Sequence, residues 1–152
     1  DVVEELIESL NAWHWEPPIS WPIVRTAGKA AHEFTLQQLR SGDLPYFVAY
    51  QEGRPVGMQT FLRPGFTPPV VAHAGDVYLF EGVVSDEARG GGVGTALLRH
   101  SMDWARSAGF ESCTLHFASP NPSGAPFWLG HGFVPVEHTM ERRIDERVAW
   151  AH

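Results

Sequence analysis

Between Val84 and Ala105 the chain reads VSDEARGGGVGTALLRHSMDWA, a run of glycines set between an apolar strand pattern and an amphipathic helix pattern. Chains hold phosphates this way: backbone N–H groups, cleared of side chains, converge at the opening of a helix whose dipole favours negative charge. Four glycines in the five positions 90 to 94 carry a backbone entropy cost that folding alone rarely demands. Two familiar phosphate motifs do not fit. A P-loop needs Gly-Lys-Ser/Thr, and Gly94 is followed by Thr95-Ala96, so no lysine reaches a phosphate. A dinucleotide fingerprint needs a third glycine where Leu97 stands and a loop tight against its strand, whereas residues 85 to 89 intervene. Glu111, at a tempting distance downstream, then has no fingerprint to serve.

What remains is Arg89-x-x-Gly92-x-Gly94 after a hydrophobic strand and before a long helix. This segment resembles the pyrophosphate loop of the GNAT superfamily, the acyl-CoA-dependent N-acetyltransferases. A second stretch, NPSGAPFWLGHGF from Asn121 to Phe133, is similar to that family's Asn-x-x-Ala-x-x-Leu-Tyr-x-x-x-Gly-Phe segment, with Gly124, Phe127-Trp128 and Gly132-Phe133 at matching spacing. The resemblance spans about residues 26 to 144, and the family's usual opening strand has no counterpart ahead of the first helix. It implies an α+β fold with a mixed α/β sheet whose central parallel strands, 76 to 84 and 112 to 118, splay apart to admit pantetheine. It also implies acetyl-CoA or another acyl-CoA as co-substrate and no metal. Val83 and Val84 would bond the pantetheine, and the main chain of Arg89, Gly90, Gly91, Gly92, Val93, Gly94 and Thr95 would hold the pyrophosphate. Asn121, Ser123 and Trp128 complete the cofactor side. A strand N–H near the thioester would stabilise an oxyanion.

Acyl transfer needs a neutral amine, and a lysine-like amine has a pKa near ~10.4, so a base must remove a proton. Glu81, which breaks the apolar run that follows Asp76 in DVYLFEGVV, is the candidate, since burial would raise its pKa towards neutrality. The competing reading is a structural carboxylate, and a bulge would change which face it uses. Glu137, His116 and His138 are weaker alternatives. Trp128 stands where many family members carry a tyrosine thought to protonate the departing thiolate. An indole cannot release its proton at ordinary pH. Transfer then proceeds unassisted, or takes its proton from Tyr78 or Ser123, and Trp128 packs the core of its short helix. Ser123 reads as the N-cap of that helix, because Pro126 is tolerated only in a first turn.

The elements that must position these groups follow from periodicity. Val3, Leu6, Ile7 and Leu10 predict an amphipathic helix over residues 1 to 11, and WHWEPPISWP, 13 to 22, reads as an irregular, proline-bound loop that either walls a pocket or pins itself to the core. A second helix, 26 to 40, would bury Ala27, Ala30, Ala31, Phe34 and Gln38 and stop at Gly42. Strands follow at 46 to 50 and 56 to 62, a Pro- and Gly-rich loop at 63 to 75, and a strand at 76 to 84. A helix to about Ala108, a strand at 112 to 118, a short helix and a final strand pair, GFVPV and HTMERRI, complete the order.

Composition narrows the partners. The chain has 152 residues, which fits a single domain. A net charge of −7 argues against nucleic acid. No apolar run approaches the ~20 residues of a membrane helix. One cysteine, Cys113, rules out an internal disulfide framework and makes a cytoplasmic setting the default. The eight histidines show no metal-ligand spacing. The acceptor is expected to be a primary amine of a small molecule or peptide, bound between the loops at 13 to 22 and 63 to 75, with Trp13, Trp15, Trp21 and Phe66 at hand. A homodimer through an exposed edge at 139 to 144 is conceivable. The rival to an enzyme is a catalytically silent acyl-CoA-binding regulatory module.

Overall fold

Among the described residues, four strands form one sheet in the order β1-β2-β3-β4: β1 (Tyr46–Gln51), β2 (Arg54–Leu62), β3 (Asp76–Val84) and β4 (Ser112–Leu115). The first three are antiparallel neighbours, and β4 runs parallel to β3, which makes the sheet mixed as expected. Helices α1 (Val2–Trp15) and α2 (Arg25–Ser41) precede the sheet. A 3-10 turn at Asp86–Ala88 leads from β3 to α3 (Val93–Ser107), and α4 (Gly124–Gly130) follows β4. The computed structural model describes residues 2–15, 18–19, 25–41, 44–63, 74–140, 142 and 144.

Side-chain chemistry sorts the helices onto two faces. Leu6 and Ile7 of α1 are buried with Met58 and Val83, and Leu36 and Leu39 of α2 pack against this cluster. On the other face Leu98 and Ala105 of α3 and Trp128 of α4 close over Phe61, Val77 and Leu79. The β1–β2 connection is the two residues Glu52 and Gly53, both at positive φ (50° and 79°), the backbone that a tight hairpin turn requires.

Several boundaries differ from those the sequence predicts. Helix α1 runs on through Trp13, His14 and Trp15, because the prolines at 17 and 18 constrain only the residue before them and those that follow. In α2 the buried side is Thr35, Leu36 and Leu39, while Ala30 and Phe34 are exposed: burying a leucine is worth about 1.5–3 kcal/mol, far more than an alanine. The side chains of Ala27 and Ala31, and Gly42, lie outside the described residues. The strand expected to reach Ala118 stops at Leu115. The expected final strand pair does not form among the described residues after α4. Val134, Val136, Met140 and Ile144 are instead 74%, 63%, 88% and 94% exposed, for a period-two pattern becomes a strand only beside a ladder partner.

At the closed end of the β3–β4 pair, Asp76 is fully buried. Ser112 Oγ–H donates to its Oδ1 (2.7 Å) and Thr114 Oγ1–H to its Oδ2 (2.6 Å). This carboxylate rivets the two strands where they are still joined. Asp76→Ala removes the acceptor of two charge-assisted bonds and is expected to cost about 3 kcal/mol, read as a lower urea midpoint at unchanged m-value.

Candidate active site

Pairing between β3 and β4 ends at Leu79 and Leu115. Beyond that point Phe80–Val84 continue on β2 alone, and His116–Ala118 leave the sheet. The strands therefore fork. A cavity of about 760 Å³ fills the fork and reaches from Tyr78 and Glu81 at one end to Arg89, Gly90 and Gly92–Thr95 at the other.

The position of Glu81 depends on one extra residue. The β2–β3 register pairs Phe61 with Leu79 but Thr60 with Glu81, so Phe80 is a bulge. Strict alternation would send Glu81 to the side of Val77 and Leu79, into the packing under α3. The bulge turns it to the α1/α2 side instead, where Val83 joins the Leu6 and Ile7 cluster, and leaves Gly82 facing Trp128 on the α3 side. Thr60 Oγ1 accepts a bond from Glu81 N–H (3.1 Å) at the irregularity. Burial pushes the Glu81 carboxyl up to about 7, and a side-chain hydrogen bond with Thr35 of α2 only partly offsets it. Phe34, next to Thr35, meets the Phe80 ring edge-on at 6.3 Å and walls the cavity. Thr35 and Thr60 carry no sequence signal, because their role follows from helix docking and strand register rather than from any motif.

Tyr78 shares the Glu81 side of β3. Its hydroxyl lies 2.9 Å from His116 Nδ1, and His116 Nε2 lies 3.0 Å from Glu137 Oε1. Residues that the sequence offers as separate alternatives thus form one chain of hydrogen bonds, whereas His138 is exposed. Burial, with the nearby Glu81 charge, pushes the Tyr78 phenol up to about 12. Cys113 is no nucleophile: burial and the Asp76 charge push its thiol to about 12.

At the other end, Gly90 and Gly92 take φ of 76° and 83°, with open space where a Cβ would stand. Gly92 caps α3, and the first intrahelical bond is Ala96 N–H to Gly92 O (2.9 Å). The N–H groups of Val93, Gly94 and Thr95 precede it and point out of the helix end. Gly94 is small for another reason: a Cβ there would lie 3.2 Å from the Phe127 ring of α4. The Thr95 hydroxyl meets His131 Nε2 at 3.1 Å. Arg89 braces the loop from behind. Its Nε–H donates to Val84 O (3.1 Å), its Nη1 contacts Asp86 Oδ1 (2.6 Å), and its guanidinium lies 4.1 Å from the Trp13 ring centroid. Trp13 Nε1–H also donates to Asp86 (3.3 Å), so the end of α1 is fastened to the loop. Trp13 does line the cavity, while Trp21, Phe66 and residues 64–73 of the expected acceptor wall lie outside the described residues. His14, another lining residue, has its pKa lowered by burial.

Helix α4 begins differently from expectation. Ser123 holds the N-cap position but makes no capping bond through its side chain. Asn121 does the capping: its Oδ1 accepts from Ser123 N–H (3.0 Å), Ser123 Oγ–H (3.1 Å) and Gly124 N–H (2.8 Å). A Cβ on Gly124 would stand 2.8 Å from Asn121 Nδ2, which explains the small residue there. Trp128 is 9% exposed and packs on Phe127, Phe133 and Gly82. Among the described residues no group of three His, Cys, Asp or Glu could hold a metal, and no helix is long and apolar enough to cross a membrane.

The fork, the glycine loop and the capped α4 occupy one continuous stretch, and the family model described as the acetyltransferase (GNAT) family matches residues 7–133. The chain belongs to the GNAT family. Solved structures agree. A proposed acetyl transferase from Pyrococcus furiosus is 27% identical, with 93% of this chain and 95% of that chain covered at a TM-score of 0.66. A variant of the BH1408 protein from Bacillus halodurans reaches a TM-score of 0.75 at 14% identity over 93% and 92% of the two chains. The aminoglycoside acetyltransferase AAC(6')-Iy, bound to the bisubstrate analogue CoA-S-monomethyl-acetylneamine, gives 0.65 at 19% identity over 94% and 89%. At the latter two identities the likeness is one of fold. No curated protein sequence matches the chain.

Proposed function

We propose that this GNAT domain transfers an acetyl or other acyl group from acyl-CoA to a primary amine of a small molecule or peptide by direct attack. The observation that carries the reading is a single cavity with a glycine loop at one end and, at the other, a buried carboxyl poised near pH 7. The cradle suits a diphosphate: Val93, Gly94 and Thr95 present N–H groups at a helix start, and Gly90 and Gly92 keep side chains out of the way. The edge of β3 at Gly82–Val84, past the end of the β4 ladder, suits an amide-bearing arm, which would extend that ladder. Val83 and Val84 lie on that edge, with the Val84 carbonyl already sharing a bond with Arg89. Asn121, Ser123 and Trp128 line the opposite wall.

The chain's own groups then act in sequence. The Glu81 carboxylate takes a proton from the ammonium form of the acceptor, and the neutral amine attacks the thioester carbonyl. A main-chain N–H of the fork steadies the oxyanion, and collapse expels the thiolate while the attacking nitrogen gives up its second proton to solvent. The complex of AAC(6')-Iy with an acetylneamine conjugate, and that of a soil-derived aminoglycoside acetyltransferase with sisomicin, make polyamine-bearing small molecules the first acceptors to try. The test is thiol release from acetyl-CoA across a panel of aminoglycosides, diamines, arylalkylamines and peptides with free amino termini. Thiol release that depends on one of these amines is the expected result. Tight CoA binding with no release from any of them would favour the silent binding module, for which the indole of Trp128 is the argument.

A further inference from the structure

Acyl transfer leaves one proton unassigned. When the C–S bond breaks, its electron pair stays on sulfur, and Trp128 has no ionisable proton to give. Ser123 cannot supply one readily either, for its Oγ–H is donated to Asn121. Resting on the acyltransferase reading, we infer that Tyr78 is the proton donor to the departing thiolate and that His116 and Glu137 act through it as a relay.

The hydrogen bonds fix the direction of that relay. A carboxylate only accepts, so the 3.0 Å contact to Glu137 puts a proton on His116 Nε2. In the neutral ring Nδ1 is then bare, and the Tyr78 O–H, 2.9 Å away, is committed to it. Charging the ring places a proton on Nδ1 as well. That N–H now donates to the phenol oxygen and leaves the Tyr78 O–H to turn into the cavity, which both Tyr78 and His116 line. The step balances: the Tyr78 proton passes to sulfur, the Nδ1 proton passes to the phenol oxygen, and Glu137 holds the remaining N–H throughout. No free phenolate accumulates, as suits a phenol that burial keeps protonated. The His116 side chain is 45% exposed, so solvent restores its proton after each turnover. Among the described residues, the titratable groups facing His116 are Tyr78 on β3 and Glu137 on the segment after α4, and Glu81 acts on the pair through Tyr78.

The experiment uses the full chain with acetyl-CoA and the best amine of the panel. Tyr78→Phe keeps the ring and loses the proton, and kcat is expected to fall roughly 10- to 100-fold, the low end for general acid catalysis because thiolates leave well, with KM for acetyl-CoA unchanged. His116→Asn can still hydrogen-bond the phenol but has no transferable proton, so kcat is expected to fall about as far as in Tyr78→Phe, and the double variant no further. A separate readout needs no turnover: ring-nitrogen NMR of the neutral histidine should show the proton on Nε2. Wild-type kcat in Tyr78→Phe or in His116→Asn, or a proton on Nδ1, would each overturn the relay and leave the acyltransferase reading standing. A wild-type chain that never releases thiol overturns both. Should Tyr78→Phe fail to fold, the His116→Asn rate decides.

Discussion

Glu81→Gln is expected to lower kcat roughly 100-fold or more while acyl-CoA binds with wild-type affinity. The amide keeps the shape of the carboxyl and its contact with Thr35 but cannot accept a proton. The pH profile separates this from a packing defect. In the wild type, kcat/KM rises with pH as the carboxyl ionises near its raised value of about 7, and in the variant that limb disappears. Stability moves in the opposite sense. Between its ordinary 4.5 and about 7 the folded carboxyl holds a proton that the unfolded chain has lost. Folding is therefore favoured at low pH, and about 3 kcal/mol of that advantage is lost as pH rises through this window. Glu81→Gln removes that contribution, so the stability of the wild type relative to the variant should be lower at pH 8 than at pH 5 by most of that amount. Undiminished turnover would remove Glu81 from the mechanism.

Why Glu81 could be picked out but not aimed is instructive. A charge inside the apolar run of DVYLFEGVV is visible in the sequence, and so is the glycine run, because both break a local pattern. The side of the sheet to which the carboxyl turns is set by the Phe80 bulge, which no periodicity announces. The Tyr78–His116–Glu137 chain joins residues 38 and 21 positions apart, and only the forked end of the sheet brings them together. Asn121 was legible as a motif residue, yet its capping work looked like the task of Ser123. The opposite failure occurred after α4. There the alternation in HTMERRI predicts a strand, but alternation describes a face, and no ladder forms there among the described residues. The bounds of β3 were a local matter and were read correctly.

Gly92→Val is expected to weaken coenzyme A binding at least roughly tenfold, with transfer falling in proportion. Gly92 caps α3 at φ 83°, where a β-branched residue is strained by about 1–2 kcal/mol. Relief of that strain would swing the N–H groups of Val93, Gly94 and Thr95 out of line. The new side chain would also stand in space that is now open on the cavity. Gly109, just past the end of α3 at φ 86°, gives a matched control, since a Cβ there also meets nothing and the residue does not line the cavity. Gly109→Val should lose similar stability in thermal melts and keep full affinity in calorimetry. Equal affinity losses in the two variants would mean that the loop does not cradle phosphate.

The extra residue at Phe80 also limits how this protein can change. Dropping Phe80 would leave Leu79 opposite Phe61 and Glu81 opposite Thr60, so every downstream residue would keep its side. Pairing Phe80 with Thr60 instead would exchange the two sides of everything downstream until the strand ends. A chimera that borrows this segment from a relative must therefore match its register on β2 before its identities. An otherwise faithful graft whose ladder runs unbroken through Phe80 would fold around a carboxyl pressed against indole and present a bare glycine to the amine.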